Sequence, residues 1–287
     1  MHVFVYGTLR KHEKNSSLLE GRRCLAEQAW VYGELYDTGL GYPVMRKSTG
    51  QKVYGEVYSI DAETLQKLDI LEDYEDGREN NLYDRNEIPI YTDKGVITAL
   101  VYIENLPLGK EQIKHGDWKL HNLLRSSPKS LYYFAYGSCM DIERFKQANV
   151  DHFFQKVVGP CSLKCYSMKY LFSVHDGGRA DIVEDGGVTE GILYEIPFEC
   201  IEYLFKREGF YTGWYRATFV DVNVGEELYT NVLTFHVYDK KEEQAPPAHY
   251  ATEILRGAKG RVSDEYYSKL VSELQRLNCD YLEQLKI

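Results

Sequence analysis

The chain has 287 residues, 44% hydrophobic and 27% charged, with a formal net charge of −10. That balance fits a globular protein of one or two domains and argues against nucleic acid as the main partner, because phosphate binding needs clustered Lys and Arg. No apolar run approaches the roughly 20 residues of a membrane span and neither terminus carries a leader pattern, so the expectation is a cytoplasmic protein with no membrane partner. The 25 tyrosines favour sheet, since aromatic rings suit a pleated, half-buried surface. Six cysteines, at 24, 139, 161, 165, 200 and 279, form no Cys-x-x-Cys pair, and the eight histidines show no ligand spacing. They read as reduced structural thiols, with no metal and no cofactor.

In chain order, VFVYGTLR is an apolar strand that ends in a Tyr6-Gly7-Thr8 turn. GELYDTGLGYPVM gives short strands broken by glycines and a Gly-Tyr-Pro turn, and GEVYSI alternates as a strand. DAETLQKLDILEDYE reads as a helix with Asp61 as N-cap. RNEIPIYT and VITALVYIE form a hairpin around Asp93-Lys94-Gly95. An amphipathic stretch to Leu124 closes the first domain, and the polar run 125–130 is its linker. The plan then repeats: strand 131–136, the helix MDIERFKQAN, strands including HDGGRADIV and GILYEI, and the helix PFECIEYLFKREG with Pro197 near its first position. RATFVDVNV and LYTNVLTFHVY are strands, Glu242-Glu243 a loop or hairpin end, and SDEYYSKLVSELQRL a final helix.

Counting supports a duplication. The turn phrase returns as YFAYGSCM, with Tyr136 lying 130 residues after Tyr6. Glu72 lies 17 residues after Gly55, and Glu208 lies 17 after Gly191. Each glutamate follows apolar residues at i−7 and i−4, Leu65 and Leu68 or Ile201 and Leu204, which places it on the core-directed helix face. A carboxylate there is costly unless it is paired or protonated, and burial moves its pKa toward the value an acid/base needs. The Gly7 and Gly137 turns offer free backbone N–H groups that suit an anion, and Thr8 and Ser138 are placed to cap a following helix. Neither turn is a P-loop or a Gly-x-Ser-x-Gly elbow.

Together VFVYGTLR, GELYDTGLGYP, GEVYSID and LDILEDY resemble the γ-glutamylamine cyclotransferase/AIG2-like family. YFAYGSCM, GGRADIVEDGGVTEGILYEI, LFKREGFYTGWYR and the tail APPAHYATEILRGAKG resemble γ-glutamylcyclotransferase proper. The resemblance implies an α+β protein of two tandem domains, 1–127 and 128–287, each a small mixed barrel-like sheet with flanking helices. It implies an acyltransferase-type enzyme that cyclises a γ-glutamyl amine or γ-glutamyl amino acid to 5-oxoproline, releasing the amine, with no metal or cofactor. Glu72 and Glu208 fall on the family's acid/base. Tyr6, Gly7, Thr8 and Leu9, and Tyr136, Gly137, Ser138, Cys139 and Met140, fall on its substrate-binding turn. Cys139-Met140 departs from the usual Asn-Leu and removes amide donors from the pocket rim. Arg10, Arg144 and Arg179 are the candidate partners of the substrate carboxylate. The second half, whose match runs through the tail, is the favoured active copy. Two rivals stand beside this: a non-catalytic or half-degenerate protein that binds γ-glutamyl-like or peptide ligands, and a related deacylating enzyme of metabolite modification.

Overall fold

Both faces of the first strand are apolar, and the computed structural model, which describes residues 1–277, buries both. In β1 (His2–Val5) Phe4 packs with Val53, Val101 and Trp118 inside a barrel. Val3 and Val5 point the other way, toward Leu68 and Tyr102. Alternation along a strand sends successive side chains to opposite faces, so a continuous apolar run demands cover on both.

The chain divides into two compact units, Met1–Ser126 and Ser127 onward. The first contains β2 (Arg23–Tyr32), β3 (Glu34–Asp37), β4 (Pro43–Arg46), β5 (Lys52–Ser59), α1 (Ala62–Leu71), β6 (Tyr83–Thr92), β7 (Gly95–Glu104), β8 (Glu111–Gln112) and α2 (Trp118–Ser126). Its barrel closes in the order β1-β5-β2-β6-β7, with β1 antiparallel to β5 and parallel to β7. Strands β4, β3 and β8 make a small side sheet. Asp61 caps α1 by accepting from the Thr64 N–H at 2.8 Å, as its position predicts.

The second unit has β9 (Ser130–Ala135), α3 (Ile142–Gln147), β10 (Val157–Lys164), β11 (Ser167–Val174), β12 (Gly177–Val183) and β13 (Val188–Pro197). These are followed by α4 (Cys200–Arg207), β14 (Tyr215–Val224), β15 (Glu227–Val237), α5 (Ala248–Ala258) and α6 (Asp264–Arg276). Its barrel closes as β9-β13-β10-β14-β15, again with β9 antiparallel to β13 and parallel to β15. The two barrels therefore share one topology, with β11 and β12 forming a separate hairpin in the second. Both units are mixed α+β, as the resemblance implies.

One pair of glycines shows how closely the copies correspond. A Cβ at Gly55 would lie 2.2 Å from the Val5 carbonyl oxygen, and one at Gly191 would lie 2.2 Å from that of Ala135. Each glycine lets its strand cross the end of the first strand at a distance no side chain permits.

Three local expectations are corrected. Pro197 ends β13, and α4 begins later, at Cys200. Helix α2 runs to Ser126 and β9 starts at Ser130, so the connecting run is shorter than 125–130. The tail also holds α5, whose buried Ala251, Ile254, Leu255 and Ala258 recur at helical spacing. Cys279 lies outside the described residues.

Candidate active site

In the first unit β1 runs straight into the Tyr6–Leu9 turn. The Tyr6 hydroxyl donates to the Tyr102 carbonyl at 2.7 Å, which ties the turn to β7. Gly7 is needed for close packing, since a Cβ there would come within 2.7 Å of the Pro43 ring. Arg10 locks the far end, donating to Glu56 (3.2 Å) and Asp117 (3.0 Å) while only 2% exposed. Burial pushes Glu56 up, but Lys119 and Arg10 outweigh it and hold the carboxylate below its ordinary value. Arg10 is thus used up inside the fold and is not available to a substrate carboxylate.

Glu72 caps the C-terminal end of α1. It lines a cavity of about 240 Å³ together with Tyr6, Gly7, Thr8, Leu9 and Tyr83. Asn15 holds Thr8 by a 2.9 Å bond to its hydroxyl oxygen, so Thr8 caps no helix. The amides of Thr8 and Leu9 donate to no acceptor among the described residues. No side chain of the described residues binds the Glu72 carboxylate, and burial alone raises its pKa from 4.5 to about 7. Burial first and Glu72 second push the Tyr83 hydroxyl far above its ordinary value, as expected for a phenol beside the carboxylate. Leu71, 38% exposed, sits on the same wall and leads out to solvent.

The second unit repeats the scaffold and divides the space differently. Tyr136 donates to the Phe235 carbonyl at 2.8 Å, as Tyr6 does to that of Tyr102. Tyr215 donates to the Ala180 carbonyl at 2.7 Å, as Tyr83 does to that of Pro43 at 3.2 Å. Glu208 again follows its helix and reaches the turn with Gly137, Ser138 and Cys139. Glu208, Ser138, Tyr215 and Tyr250 line a pocket of about 30 Å³ and, on their other side, a more open groove of about 330 Å³.

Arg207 lies on the groove side of the turn. Its Nε donates to Cys139 Sγ at 3.1 Å and its Nη2 to Ser138 Oγ at 3.0 Å. The Cys139 thiol in turn donates to Glu208 Oε1 at 3.3 Å. Burial raises Glu208, while Arg207 and the Cys139 bond pull it back. Burial lifts the Cys139 thiol to about 11, too high for a nucleophile at neutral pH. Ser138 caps no helix; Asp141 caps α3 instead. Met140 is fully buried and off the cavity wall, because Gly257 of α5 packs on it so tightly that a Cβ would meet its atoms at 2.7 Å. Arg144 faces Glu253 at 3.4 Å, and Arg179 is bound to Asp176 at 2.8 Å.

Sequence reasoning missed Tyr83, Tyr102, Pro43, Tyr215 and Tyr250 as cavity residues. A signal existed for two of them: after each glutamate, a tyrosine opens the next strand, Tyr83 in β6 and Tyr215 in β14. Among the described residues there is no cluster of His, Cys, Asp and Glu able to hold a metal ion. No described helix is long and apolar enough to cross a membrane.

A small closed barrel with a glutamate facing a Tyr-Gly turn, present in two copies, defines the class. The family model for gamma-glutamyl cyclotransferase, AIG2-like, matches residues 3–120, and that for the AIG2-like family matches residues 189–270. YkqA of Bacillus subtilis (strain 168), named as a provisional gamma-glutamylcyclotransferase, is 44% identical over 96% of this chain and 98% of its own. Its crystal structure superposes with a TM-score of 0.88 at 43% identity, over 96% of this chain and 98% of that one. The gamma-L-glutamyl-butirosin B gamma-glutamyl cyclotransferase of Niallia circulans is 36% identical over 127 residues, 44% of this chain and 80% of that protein. The chain belongs to the gamma-glutamyl cyclotransferase, AIG2-like family.

Proposed function

We propose that the first unit cyclises a small γ-glutamyl amine or γ-glutamyl amino acid to 5-oxoproline and releases the amine, in the cytoplasm and without a cofactor. The substrate's α-amine nitrogen attacks its own γ-carbonyl carbon, closing the ring as the bond to the departing nitrogen breaks. Glu72 takes the proton from the attacking nitrogen and returns it to the leaving one, so protons balance without a water. A folded-back pose in the cavity makes the step intramolecular, which supplies much of the advantage. The Thr8 and Leu9 amides face the carbonyl oxygen as it gains negative charge.

The observation that carries this reading is the Glu72 carboxyl, without a bound partner at a cavity wall and with a pKa of about 7. At neutral pH both its forms are populated, which an acid/base alternating between two nitrogens requires. The second unit, favoured on the length of its resemblance, is the weaker candidate. Glu208 there is engaged by Cys139, and Arg207 occupies the turn.

The test is product identification by mass spectrometry with a panel of γ-glutamyl amines and γ-glutamyl amino acids. Cyclisation gives 5-oxoproline, and the deacylating alternative gives free glutamate. Formation of neither product, or full 5-oxoproline formation by a Glu72→Gln variant, overturns the proposal.

A further inference from the structure

The second unit's turn and glutamate, Ser138 and Glu208, also line an open groove of about 330 Å³ whose wall includes Arg207, Arg144, Arg179, Phe172 and Trp214. Arg207 is 14% exposed at its side chain. Two of its nitrogens bind uncharged groups, the Cys139 sulfur and the Ser138 hydroxyl. The Tyr203 hydroxyl, also uncharged, stands beside the guanidinium as well. The Arg207 ion pair there is Nε to Glu208 Oε1 at 3.6 Å, without a hydrogen bond, and that oxygen already accepts from Cys139. A buried guanidinium without a hydrogen-bonded carboxylate is costly, and a bound anion offsets that cost.

The rest of the groove narrows the anion. Arg144 and Arg179 add positive charge but are partly neutralised by Glu253 and Asp176. Trp214 is 48% exposed, and its ring lies 5.4 Å from that of Phe172. It rests on Gly209, where a Cβ would come within 2.8 Å, so its position is set before any ligand arrives.

We propose that this groove binds a small organic monocarboxylate bearing an apolar or aromatic group, without converting it: the carboxylate sits on Arg207 and the apolar part on Trp214 and Phe172. A planar guanidinium edge matches a planar carboxylate. A phosphate dianion is disfavoured, because Glu208 and Glu253 on the wall and Asp176 behind Arg179 repel a second negative charge. An aromatic face left in water is the natural seat for the ligand's apolar part.

The test uses the full chain carrying Glu72→Gln, so that turnover in the first unit does not enter. N-acetyl-L-phenylalanine, its uncharged amide and inorganic phosphate are each titrated by isothermal calorimetry. The acid is expected to bind saturably, and the amide and phosphate at least tenfold more weakly. Arg207→Gln is expected to lose at least tenfold in affinity for the acid, with circular dichroism reporting the fold. Trp214→Ala, at an exposed position, is expected to weaken binding severalfold and keeps the test decisive if Arg207→Gln does not fold. No saturable binding of the acid, equal binding of acid and amide, tighter binding of phosphate, or indifference to both substitutions overturns the proposal. The readout is binding in the second unit, so it fails or succeeds separately from cyclisation in the first.

Discussion

Glu72 and Glu208 end equivalent helices on equivalent barrels, and their surroundings have diverged. In the first unit the residue before the glutamate is Leu71, which leans out to solvent at 38% exposure and leaves about 240 Å³ open. In the second it is Arg207, which folds inward onto Ser138 and divides the space at Glu208 into a pocket of about 30 Å³ and a groove of about 330 Å³. The partner position on the turn changes with it, from Leu9 to Cys139, and the thiol links Arg207 to Glu208. One scaffold thus holds a carboxyl free to exchange protons and another whose carboxyl is engaged. The tight glycines and the Tyr-to-carbonyl ties are kept in both copies, because they hold the barrel and not the chemistry.

Four experiments bear on this contrast. The largest effect is expected from Glu72→Gln, which should lower 5-oxoproline formation by about 10²–10⁴-fold, the usual worth of general acid/base catalysis. Glu208→Gln should change it less than twofold; equal losses would erase the distinction between the units. In the same assay the rising limb of kcat/KM should fall near pH 7, because the base form of Glu72 is lost as pH drops through about 7.

Next is stability. The folded first unit keeps Glu72 protonated up to about pH 7, whereas the unfolded chain releases that proton near 4.5. Between those values the folded chain binds more protons, so stability falls as pH rises, and the full cost is present above pH 7. At about 1.4 kcal/mol per pH unit, trimmed for solvent at the cavity mouth, the cost is about 2–3 kcal/mol. Glu72→Gln should therefore gain stability in urea at pH 8 and gain none at pH 4. The double change Cys139→Leu with Arg207→Leu restores the residues of the first unit. It removes both groups that pull Glu208 down, so its carboxyl pKa by NMR titration should rise by about one unit or more. The smallest effect is expected from Tyr6→Phe and Tyr136→Phe, each losing one buried bond to a carbonyl. Each should cost about 1–2 kcal/mol in its own unit, similarly in both.

Much of this is legible in order along the chain. Period-2 runs mark the strands, Asp61 marks a helix start, and Asp93-Lys94-Gly95 marks the β6–β7 hairpin. The equal spacing from Gly55 to Glu72 and from Gly191 to Glu208 singles out both glutamates. Local rules carry these readings, because capping, turn geometry and alternation act within a few residues. They fail where a local preference meets a competing one: Pro197 satisfies the end of a strand as well as the start of a helix. Helix α5 is hidden behind the Pro246-Pro247 pair, although Pro247 is its N-cap.

Two copies of one domain, the family they resemble and the pairing of each carboxylate with a turn are all written in the linear order of residues. Those facts lie in repeated spacings, and spacing survives without coordinates. How the copies differ is a property of the folded chain. Arg207 and Cys139 are 68 residues apart, and nothing local says that they meet at the turn. Arg10 reads as a free cation in the sequence, yet Glu56 and Asp117, far along the chain, take it. A pKa of about 7 at Glu72 has the same origin, since desolvation is set by everything that surrounds a group and not by its neighbours in sequence.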